Sequence, residues 1–324
     1  MNRLETYQEE YKKYYNLSTA DIEAIASQLP HPKYLDFVYN RFDYMPSINN
    51  FSTESYNNIK ADDWPDCTCL EDFKDLPQHI VDECRDVHGF DIHIRTGQDI
   101  DKDKWQNYKG GVWPISELLK YKYTVLDLKE YIAGKNLVDF ACHAGLTSLA
   151  CLHNGAKSAV ATNVRPEFVD IANECLGLSE FSNNFTAVVA DINDYDLNTQ
   201  LCLGKDCVLL YGILYHVHDS FKIIESIAKA NPTHIIIDTV NNKSIMDLPI
   251  PLVSYYTEDT ESCWNGWYNN YNTVFVGMPN ETWFHKAMKF FGYRVVKQQR
   301  YNCGIVGSFD VDKSPNKVVL VYEK

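Results

Sequence analysis

The stretch Leu137-Val-Asp-Phe-Ala-Cys-His-Ala-Gly-Leu-Thr-Ser-Leu149 decides the fold of this chain. An apolar run ends in small residues and Gly145, and a helical pattern begins immediately afterwards. This order predicts a strand, a tight turn and the start of a helix. Small residues in such a turn let a ligand approach the backbone, and the first helical turn supplies N–H groups that have no intrahelical partner.

A second short apolar run indicates how that turn is used. Ser158-Ala-Val-Ala-Thr162 begins roughly 20 residues after Asp139, which is the spacing of a βαβ unit. The run ends in Asn163, a polar residue at the tip of the second strand. The two runs together predict a nucleotide-like cofactor that lies across the carboxyl ends of a parallel sheet.

Strand-like and helix-like patterns alternate from Asn136 onward, which is typical of right-handed crossover units. The predicted strands cover about 136–141, 157–162, 184–190, 206–212 and 233–239, and the predicted helices about 145–153, 166–176 and 219–230. A further helix is expected from Asn280 to Gly292, followed by strands at Tyr293–Gln298 and Lys317–Tyr322. We therefore predict an α/β fold with a seven-stranded, mostly parallel, doubly wound sheet.

The first third of the chain differs from the remainder. Residues 1–112 are predicted to form a mainly helical extension, and residues 113–324 the sheet domain, with a substrate-side insertion at about 240–280. Ser18-Thr-Ala-Asp21 resembles a capping box, and Pro114 is well placed to open a helix that runs to about Leu128. We expect the extension either to cap the cleft or to mediate formation of a homodimer.

Composition excludes several classes of function. The chain has 324 residues and a formal net charge of −14, which disfavours a broad nucleic-acid surface. No run approaches the roughly 18 apolar residues of a membrane span, so no membrane partner is expected. The chain starts without an apolar secretory core, and its ten cysteines are scattered; both observations predict a cytoplasmic protein with reduced thiols. No metal is expected, because Cys67-Thr-Cys69 is spaced too closely for zinc and no second pair follows.

The residues around the first strand and turn resemble those of class I S-adenosylmethionine-dependent methyltransferases. Asp139-Phe-Ala-Cys-His-Ala-Gly145 matches the first motif of that family at its acid and its last glycine. Ala141 keeps another position small, whereas His143 replaces the usual middle glycine. The resemblance implies the methyltransferase type of seven-stranded sheet and S-adenosylmethionine as cofactor. It implies the binding residues Asp139, Ala141, His143, Gly145, Asn163, Asp191, Ile192, Tyr211 and Gly212.

The resemblance also implies a role for each strand end. Asn163 would hold the ribose hydroxyls where the family normally has an acid, since its amide can both accept and donate hydrogen bonds. Asp191, followed by Ile192, corresponds to the acid that binds the adenine amino group. Tyr211-Gly212, at the end of the fourth strand, would lie beside the reacting methyl group.

Within the family, Gly212-Ile-Leu-Tyr-His-Val-His-Asp219 resembles the branch that includes the tRNA wobble-uridine carboxymethyltransferases. Phe90–Arg95 with Trp105 looks like the lead-in of that branch, and Tyr271–Gly292 like its late substrate segment. Those enzymes hold a carboxylated cofactor with a lysine before the domain, the tyrosine of the Leu-Tyr-His motif and a late arginine. Tyr215 matches the tyrosine, but the sequence offers no counterpart for the two cations. We therefore expect ordinary S-adenosylmethionine, because a buried carboxylate needs a cationic partner.

Two residues of this segment are the catalytic candidates. His216 is the best candidate for a general base, because histidine titrates near neutrality; alternatively it bonds the backbone and shapes the turn. Tyr215 either lines the methyl pocket or packs. His218 is expected at the surface, and two histidines with Asp219 make an incomplete metal site.

An aromatic stretch in the insertion is expected over the cleft. It can stack on a planar substrate, act as a lid, or form a hydrophobic subcore. It comprises Trp264, Trp267, Tyr268 and Tyr271.

The sequence thus predicts a methyltransferase that transfers a methyl group in line to an O, N or C atom of a small or modestly sized acceptor. The first alternative is an enzyme that modifies a tRNA uridine, which the acidic charge disfavours. The second alternative is a non-catalytic methyltransferase-like scaffold. His143 and Asn163 depart from the family's usual residues, and such departures would accompany a pocket that has lost its activity. The third alternative is a dinucleotide-binding site. Its motif contains three glycines, whereas this turn has one. The last is a parallel-sheet domain without a ligand.

Overall fold

The computed structural model describes residues 17–34, 115–240, 248–259, 273–301 and 317–324. Several residues singled out above lie outside these ranges: Cys67, Cys69, Phe90–Arg95, Trp105, Trp264, Trp267, Tyr268 and Tyr271.

Strands form where the sequence is apolar on both faces of a buried layer or alternates at the edge of one. They are Asn136–Phe140 (β1), Ser158–Asn163 (β2), Phe185–Val189 (β3), Cys207–Tyr211 (β4), His234–Val240 (β5), Val253–Asp259 (β6), Thr273–Pro279 (β7), Arg294–Tyr301 (β8) and Lys317–Glu323 (β9). The five predicted parallel strands and the two closing strands agree with the observed ones to within about three residues at their ends.

Helices cover both faces of the sheet. They are Thr19–Ala26 (α1), Ile115–Thr124 (α2), Lys129–Ile132 (α3), Leu146–His153 (α4), Pro166–Gly177 (α5), Tyr195–Cys202 (α6), Ser220–Lys229 (α7) and Glu281–Phe290 (α8). The capping box is confirmed at α1, where Ser18 Oγ accepts from the Asp21 N–H and the Asp21 carboxylate accepts from the Ser18 N–H. Asn280 caps α8 as expected, because its Oδ1 accepts from the Trp283 N–H at 2.9 Å.

Seven of the described strands form one sheet in the order β3-β2-β1-β4-β5-β9-β8. The first five are parallel, whereas β9 runs antiparallel to both β5 and β8. The predicted fold class, a seven-stranded and mostly parallel doubly wound sheet, is therefore confirmed. The order reverses between β1 and β4, so the carboxyl ends of these strands border the crevice where open α/β sheets bind ligands.

Each face of the sheet has its own hydrophobic core. On one face, Leu137 and Leu209 pack with α2, α4 and α5, and Ile25 of α1 belongs to the same buried cluster. On the other face, Val138 and Val208 pack with α7 and α8. Adjacent residues of one strand therefore belong to opposite cores, which explains why these strands read as continuous apolar runs.

The end of α2 is fastened to the sheet by side chains. Tyr211 Oη, at the end of β4, donates to the Thr124 carbonyl at 2.6 Å. Gln299 Nε2 on β8 donates to the carbonyl of Tyr123, and Lys297 Nζ to that of Asp127. These donors satisfy carbonyls that a helix end leaves without partners. The sequence predicts that this helix continues to about residue 128, whereas α2 ends at Thr124 and is followed by a 3₁₀ turn at Leu126–Leu128.

The short helix α3, the helix α6 and the hairpin of β6 and β7 were not predicted. The helix α6 buries only Asn198 and Cys202, so its sequence lacks the apolar stripe that marks a helix. The hairpin of β6 and β7 lies in the insertion and is separate from the main sheet. The residues around these two strands are rich in Asn, Tyr and Trp, so the two-residue period typical of a strand is hard to recognise in the sequence.

Candidate functional site

The turn after β1 is shaped by left-handed backbone conformations. Ala141, His143 and Gly145 have φ values of 56°, 52° and 77°. Positive φ at every second residue turns the chain sharply, and it is unusual for residues that carry a Cβ. The turn is tied to its surroundings, since the Cys142 N–H donates to the Thr162 carbonyl at 2.8 Å. Ala141 and His143, which both carry a Cβ, therefore adopt conformations that cost energy, which is a frequent property of ligand sites.

Gly145 is required by packing as well as by conformation. A Cβ at this position would lie 3.0 Å from both Ala172 Cβ and Leu176 Cδ1 of α5. Gly145 is also the N-cap residue of α4 and has no side chain to cap the helix. The turn therefore brings α4 and α5 close together and leaves the amides of the first turn of α4 without a side-chain cap.

Asp139 is a buried carboxylate at the end of β1. Only 2% of its surface is exposed, and its Oδ2 accepts a hydrogen bond from Ser148 Oγ of α4 at 2.7 Å. Burial raises the pKa of Asp139 to about 6, while the Ser148 hydrogen bond and the positive charge of Lys120 act in the opposite direction. A cation placed beside this carboxyl would favour its ionised form.

His143 lies against α5. Its ring centroid is 4.2 Å from that of Phe168. Desolvation lowers the pKa of His143 to about 4, and the positive charges of Lys120 and Arg165 act in the same direction. The residue as a whole remains exposed, so solvent screening moderates this shift without reversing it. The imidazole is therefore neutral near pH 7.

Polar residues at the ends of β2 and β3 continue the row begun by Asp139. Asn163 Oδ1 accepts from the Arg165 N–H at 3.0 Å, and the Ala190 N–H donates to the Asn163 carbonyl at 3.0 Å. Asp191 Oδ1 accepts from both the backbone N–H and the Nδ2 of Asn193, each at 2.9 Å. Because β1, β2 and β3 are adjacent and parallel, the three side chains lie in order along one edge of the sheet.

Ile192 and the end of β4 complete the set of predicted cofactor residues. Ile192 is partly buried against the core, and its carbonyl accepts from Asn198 Nδ2 at 2.6 Å. Gly212 has a φ of 69°, and its N–H donates to the Asp238 carbonyl at 2.9 Å. Burial raises the pKa of Tyr211 well above its usual value, and its hydroxyl is already bonded to Thr124. Any contact of Tyr211 with a cofactor would therefore come from its ring or its backbone.

Asp238, which the sequence analysis missed, is a second buried carboxylate at this edge. It lies near the end of β5 beside Tyr211, and its Oδ1 accepts from Tyr301 Oη at 3.1 Å. Burial raises the pKa of Asp238, while the positive charges of Lys317 and Lys120 and the Tyr301 hydrogen bond counteract this shift. The sequence signal that could have identified Asp238 is the presence of an acidic residue near the end of an otherwise apolar strand.

Two lysines bring positive charge to the same edge. Lys120 of α2 acts electrostatically on Asp139, His143 and Asp238, which belong to β1, the turn and β5. Lys317 opens β9 and pairs with Val240 at the carboxyl end of β5. Neither lysine was predicted, because α2 and β9 reach the cleft only through the tertiary fold.

Tyr215 is held in place by contacts from distant parts of the chain. Lys317 Nζ donates to its Oη at 3.1 Å and lies 4.9 Å from its ring centroid. Tyr256 Oη of β6 donates to the Tyr215 carbonyl at 2.7 Å. A Cβ on Gly212 would lie 3.5 Å from the Tyr215 hydroxyl, so the phenol lies back across the end of β4. The Tyr215 hydroxyl thus lies next to Gly212.

His216 and His218 lie on the same loop but have different surroundings. The His216 ring packs on Tyr215 with centroids 4.2 Å apart, and the backbone N–H of His216 donates to the Ile213 carbonyl at 2.9 Å. His218 is exposed, as predicted, and its Nδ1 lies 3.3 Å from the Phe275 carbonyl of β7. His216 therefore contacts the candidate residue Tyr215, whereas His218 contacts the hairpin.

Two further properties concern the described part of the chain alone. It contains no group of three or more His, Cys, Asp or Glu side chains arranged to hold a metal ion. None of its helices combines the length and apolar character needed to cross a membrane.

The solved structures to which this chain is similar include the following three. The N-terminal domain of EvdMO1 with SAH bound is 16% identical, with a TM-score of 0.45, and the match covers 61% of this chain and 77% of that one. An S-adenosylmethionine-dependent methyltransferase from Mesorhizobium loti is 13% identical, with a TM-score of 0.46, covering 64% of this chain and 98% of that one. Magnesium protoporphyrin IX methyltransferase from Synechocystis PCC 6803 with bound SAH is 13% identical, with a TM-score of 0.45, covering 76% and 99%.

No protein-family model matches the chain, and no curated protein matches it. The strand order defines the fold, and the residues at the strand ends define the chemistry of the candidate site.

Proposed function

We propose that this protein is an S-adenosylmethionine-dependent methyltransferase whose cofactor lies across the ends of β3, β2, β1 and β4. The observation that carries the proposal is the row formed by Asp191, Asn163, Asp139 and the left-handed turn at 141–145 on three adjacent strand ends. Such a row offers hydrogen-bonding groups at successive positions along an extended nucleoside ligand.

The residues present fit the charge of this cofactor. S-adenosylmethionine carries a sulfonium, an ammonium and a carboxylate. Asp139 is a buried carboxyl whose ionised form a neighbouring cation would favour. Lys120 brings positive charge to the same turn, so it is suited to the carboxylate end. Neutral His143 adds no repulsion toward a cationic ligand.

Each predicted residue then has a role in binding or orientation. Ala141 and Gly145 keep the turn narrow enough for the backbone to contact a ligand, while Asn163 would bind the ribose hydroxyls. One oxygen of Asp191 is occupied by Asn193, which leaves the other for the adenine amino group. Backbone groups of Ile192 and Gly212 would border the adenine and the methyl group.

When bound, the cofactor supplies an electrophilic methyl group on a sulfonium. The chain must orient the acceptor in line with that group, exclude water and, for a protonated nucleophile, remove a proton. The rings of Tyr215 and His216 pack together on the loop after β4, which supports these two side chains as the candidates for these tasks. We propose that Tyr215 lines the methyl pocket and that His216 accepts the proton. The acceptor is a small or modestly sized molecule with an O, N or C nucleophile.

Calorimetry with S-adenosylmethionine and S-adenosylhomocysteine tests the binding step. We expect both compounds to bind the wild-type protein in the micromolar range, with a heat signal that titrates to one site per chain. Absence of binding of either compound at millimolar concentration would contradict the proposal and favour the non-catalytic scaffold.

A second candidate is the carboxylated cofactor used by the tRNA-modifying branch. The observation in its favour is Lys317, which bonds Tyr215 and supplies a late cation that the sequence analysis did not find. The net charge of −14 still disfavours a tRNA acceptor. Titration of wild type and Lys317→Met with S-adenosylmethionine and its carboxylated form separates the two. A preference of at least tenfold for the carboxylated form that disappears in the variant would favour the second candidate.

A further inference from the structure

The loop that follows β3 is held by a short network of hydrogen bonds. The backbone N–H of Asn193 and its Nδ2 both donate to Asp191 Oδ1 at 2.9 Å, and the Asp194 N–H donates to the Asp191 carbonyl at 2.9 Å. These bonds fix one carboxylate oxygen of Asp191. They therefore set the direction of the other oxygen, to which the proposed function assigns the adenine amino group.

The peptide group between Ile192 and Asn193 is held on both sides. Its N–H donates to Asp191 Oδ1 at 2.9 Å, and its carbonyl oxygen accepts from Asn198 Nδ2 at 2.6 Å. A peptide group is planar, so a bond that fixes its carbonyl also fixes the direction of its N–H. A donor on the carbonyl also polarises the peptide and strengthens the bond that the N–H makes. Asn198 is thus connected to the carboxylate of Asp191 through one rigid group.

Asn198 is an unusual residue for its position. It lies in the middle of α6, and none of its surface is exposed. A buried amide costs stability unless it is hydrogen-bonded, and Asn198 Oδ1 has no hydrogen-bond partner within the described part of the chain. Packing alone would favour an apolar side chain at this position. The distinctive contribution of the amide is therefore the bond that its Nδ2 makes to the loop after β3.

The helix α7 holds the Asn198 amide in place. Asn198 Nδ2 also donates to Ser226 Oγ at 3.3 Å, and Ser226 Oγ donates to the Ile223 carbonyl at 2.7 Å. Ser226 is itself buried. Thr199, the neighbour of Asn198 in α6, donates from its Oγ1 to the Ser226 carbonyl at 2.8 Å. The orientation of the amide is therefore set by two packed helices and not by solvent.

A second buried asparagine provides a comparison. Asn154 follows α4, is 4% exposed, and donates from its Nδ2 to the Gln28 carbonyl at 2.9 Å. The next residue, Gly155, accepts on its carbonyl from the N–H of Gly134, which precedes β1. Asn154 therefore lies at the amino end of the parallel strands, away from the candidate site. The two residues share a buried amide, but Asn198 is the one that bonds the loop after β3.

We propose that Asn198 is a positioning residue for adenine recognition. It acts through the Ile192–Asn193 peptide on Asp191 and does not contact the cofactor itself. The proposal rests on the proposed cofactor site, because it concerns the adenine end of that site. It gives the loop after β3 a selectivity for a purine that carries an amino group over one that carries an oxo group at the same position.

The test compares S-adenosylhomocysteine, whose purine carries an amino donor, with S-inosylhomocysteine, whose purine carries an oxo group that a carboxylate repels. In calorimetry on the full chain, wild type should prefer the first compound about 30-fold, as expected for one hydrogen bond to a charged group. Asn198→Leu should reduce that preference to about threefold, because Asp191 is no longer held toward the amino group. Equal binding of both compounds by wild type, or an unchanged preference in a folded Asn198→Leu protein, would overturn the proposal.

Three variants separate positioning from a general loss of stability. Asn154→Leu also removes a buried amide, and it should lower the free energy of unfolding while leaving the preference unchanged. Asp191→Ala should abolish the preference, and Asn198→Leu added to it should have no further effect, because the two residues act in series; additive losses would overturn the proposal. If Asn198→Leu does not fold, Ser226→Ala, which removes one acceptor of the amide, should still reduce the preference about threefold. An unchanged preference in that variant would count against Asn198 in the same way.

Amide hydrogen exchange without cofactor gives a second readout. The Asn193 N–H should exchange about tenfold faster in Asn198→Leu than in wild type. The Leu197 N–H, which Asp194 Oδ1 accepts at 3.0 Å, should keep its wild-type rate if α6 is intact. Unchanged exchange at Asn193 would overturn the proposal. Failure of wild type to bind S-adenosylhomocysteine would contradict the methyltransferase proposal and the adenine role with it, whereas binding with unaltered selectivity in Asn198→Leu would contradict this inference alone.

Discussion

The turn at 141–145 and the loop at 213–218 follow the adjacent strands β1 and β4 but are built differently. The turn is determined by backbone conformation and by the close approach of α4 and α5. The loop is held by side chains from far along the chain, since Tyr256 and Lys317 lie 41 and 102 positions from Tyr215. The turn, which we propose to bind the cofactor, is thus encoded locally, whereas the loop, which we propose to face the acceptor, depends on elements that follow the parallel strands. Substitutions on the two sides should therefore have separable effects.

The largest expected effect comes from the turn. Gly145→Ala combines a left-handed conformation with contacts of 3.0 Å to Ala172 and Leu176. We expect a loss of about 3 kcal/mol in the free energy of unfolding and loss of S-adenosylmethionine binding. Chemical denaturation and calorimetry measure the two effects.

Gly134→Ala is the matched control for the turn. Gly134 has a φ of 73°, and a Cβ there would meet nothing within 4 Å, so only the conformational cost of about 1 kcal/mol applies. Equal destabilisation by the two substitutions would show that packing against α5 is not what requires Gly145.

The next effect concerns pH. The pKa of Asp139 is raised from 3.8 to about 6, so between these values the folded state binds more protons than the unfolded state. The contribution of Asp139 to stability therefore falls as pH rises through this window. Asp139→Asn should raise the free energy of unfolding without cofactor at pH 7.5 by about 2 kcal/mol, with little change at pH 4. It should also weaken binding of S-adenosylmethionine. A variant that is equally destabilised at both pH values would contradict this assignment.

His143 gives the opposite slope and sharpens the comparison. Its pKa is lowered from 6.5 to about 4, so the unfolded state binds more protons in that window and stability rises with pH. His143→Gln should remove this rise and make the fall caused by Asp139 steeper in denaturation curves measured between pH 4 and 6.5. An unchanged pH profile would indicate that solvent screening cancels the shift of the exposed imidazole.

A smaller effect is expected at the adenine end of the proposed site. Asp191→Asn keeps an oxygen for the Asn193 N–H but replaces the other carboxylate oxygen, so S-adenosylmethionine affinity should fall about tenfold. Asp196→Asn removes the same charge from an exposed position nearby and should leave the affinity unchanged. Calorimetry on both variants decides; equal losses would show that only net charge matters.

The smallest effect is expected at Tyr211. Tyr211→Phe removes the hydrogen bond to the Thr124 carbonyl and should cost about 1 kcal/mol of stability. Cofactor affinity should change less than twofold, because the hydroxyl is directed to α2. A large loss of affinity without loss of stability would mean that the phenol contacts the cofactor directly.

The parts of the molecule that follow local rules were predictable from the sequence. The run from Leu137 to Leu149 shows its strand, turn and helix in consecutive residues, and the caps at Ser18 and Asn280 lie three residues from the N–H groups they bind. The sheet order follows from such units because crossover connections are right-handed. Once the sheet order is known, the positions of Asp139, Asn163 and Asp191 at adjacent strand ends follow from it.

The remaining parts could not be predicted because their signals are not local. Lys317 reaches Tyr215 only because β9 returns antiparallel beside β5 and begins at the crevice. Lys120 precedes β1 and acts on the turn through the placement of α2. Tyr255 pairs with Gly277 of the opposite strand, and nothing near Tyr255 in the sequence indicates that pairing.

The hydrogen bonds at the end of α2 have a consequence for truncated forms of the protein. Tyr211, Gln299 and Lys297 each donate to a carbonyl of residues 123–127, from strands on either side of β5 and β9. Removal of this segment would leave the three donors without these partners and would expose core residues that pack against α2. The smallest version of the sheet that can fold stably therefore has to begin before α2 and not at β1.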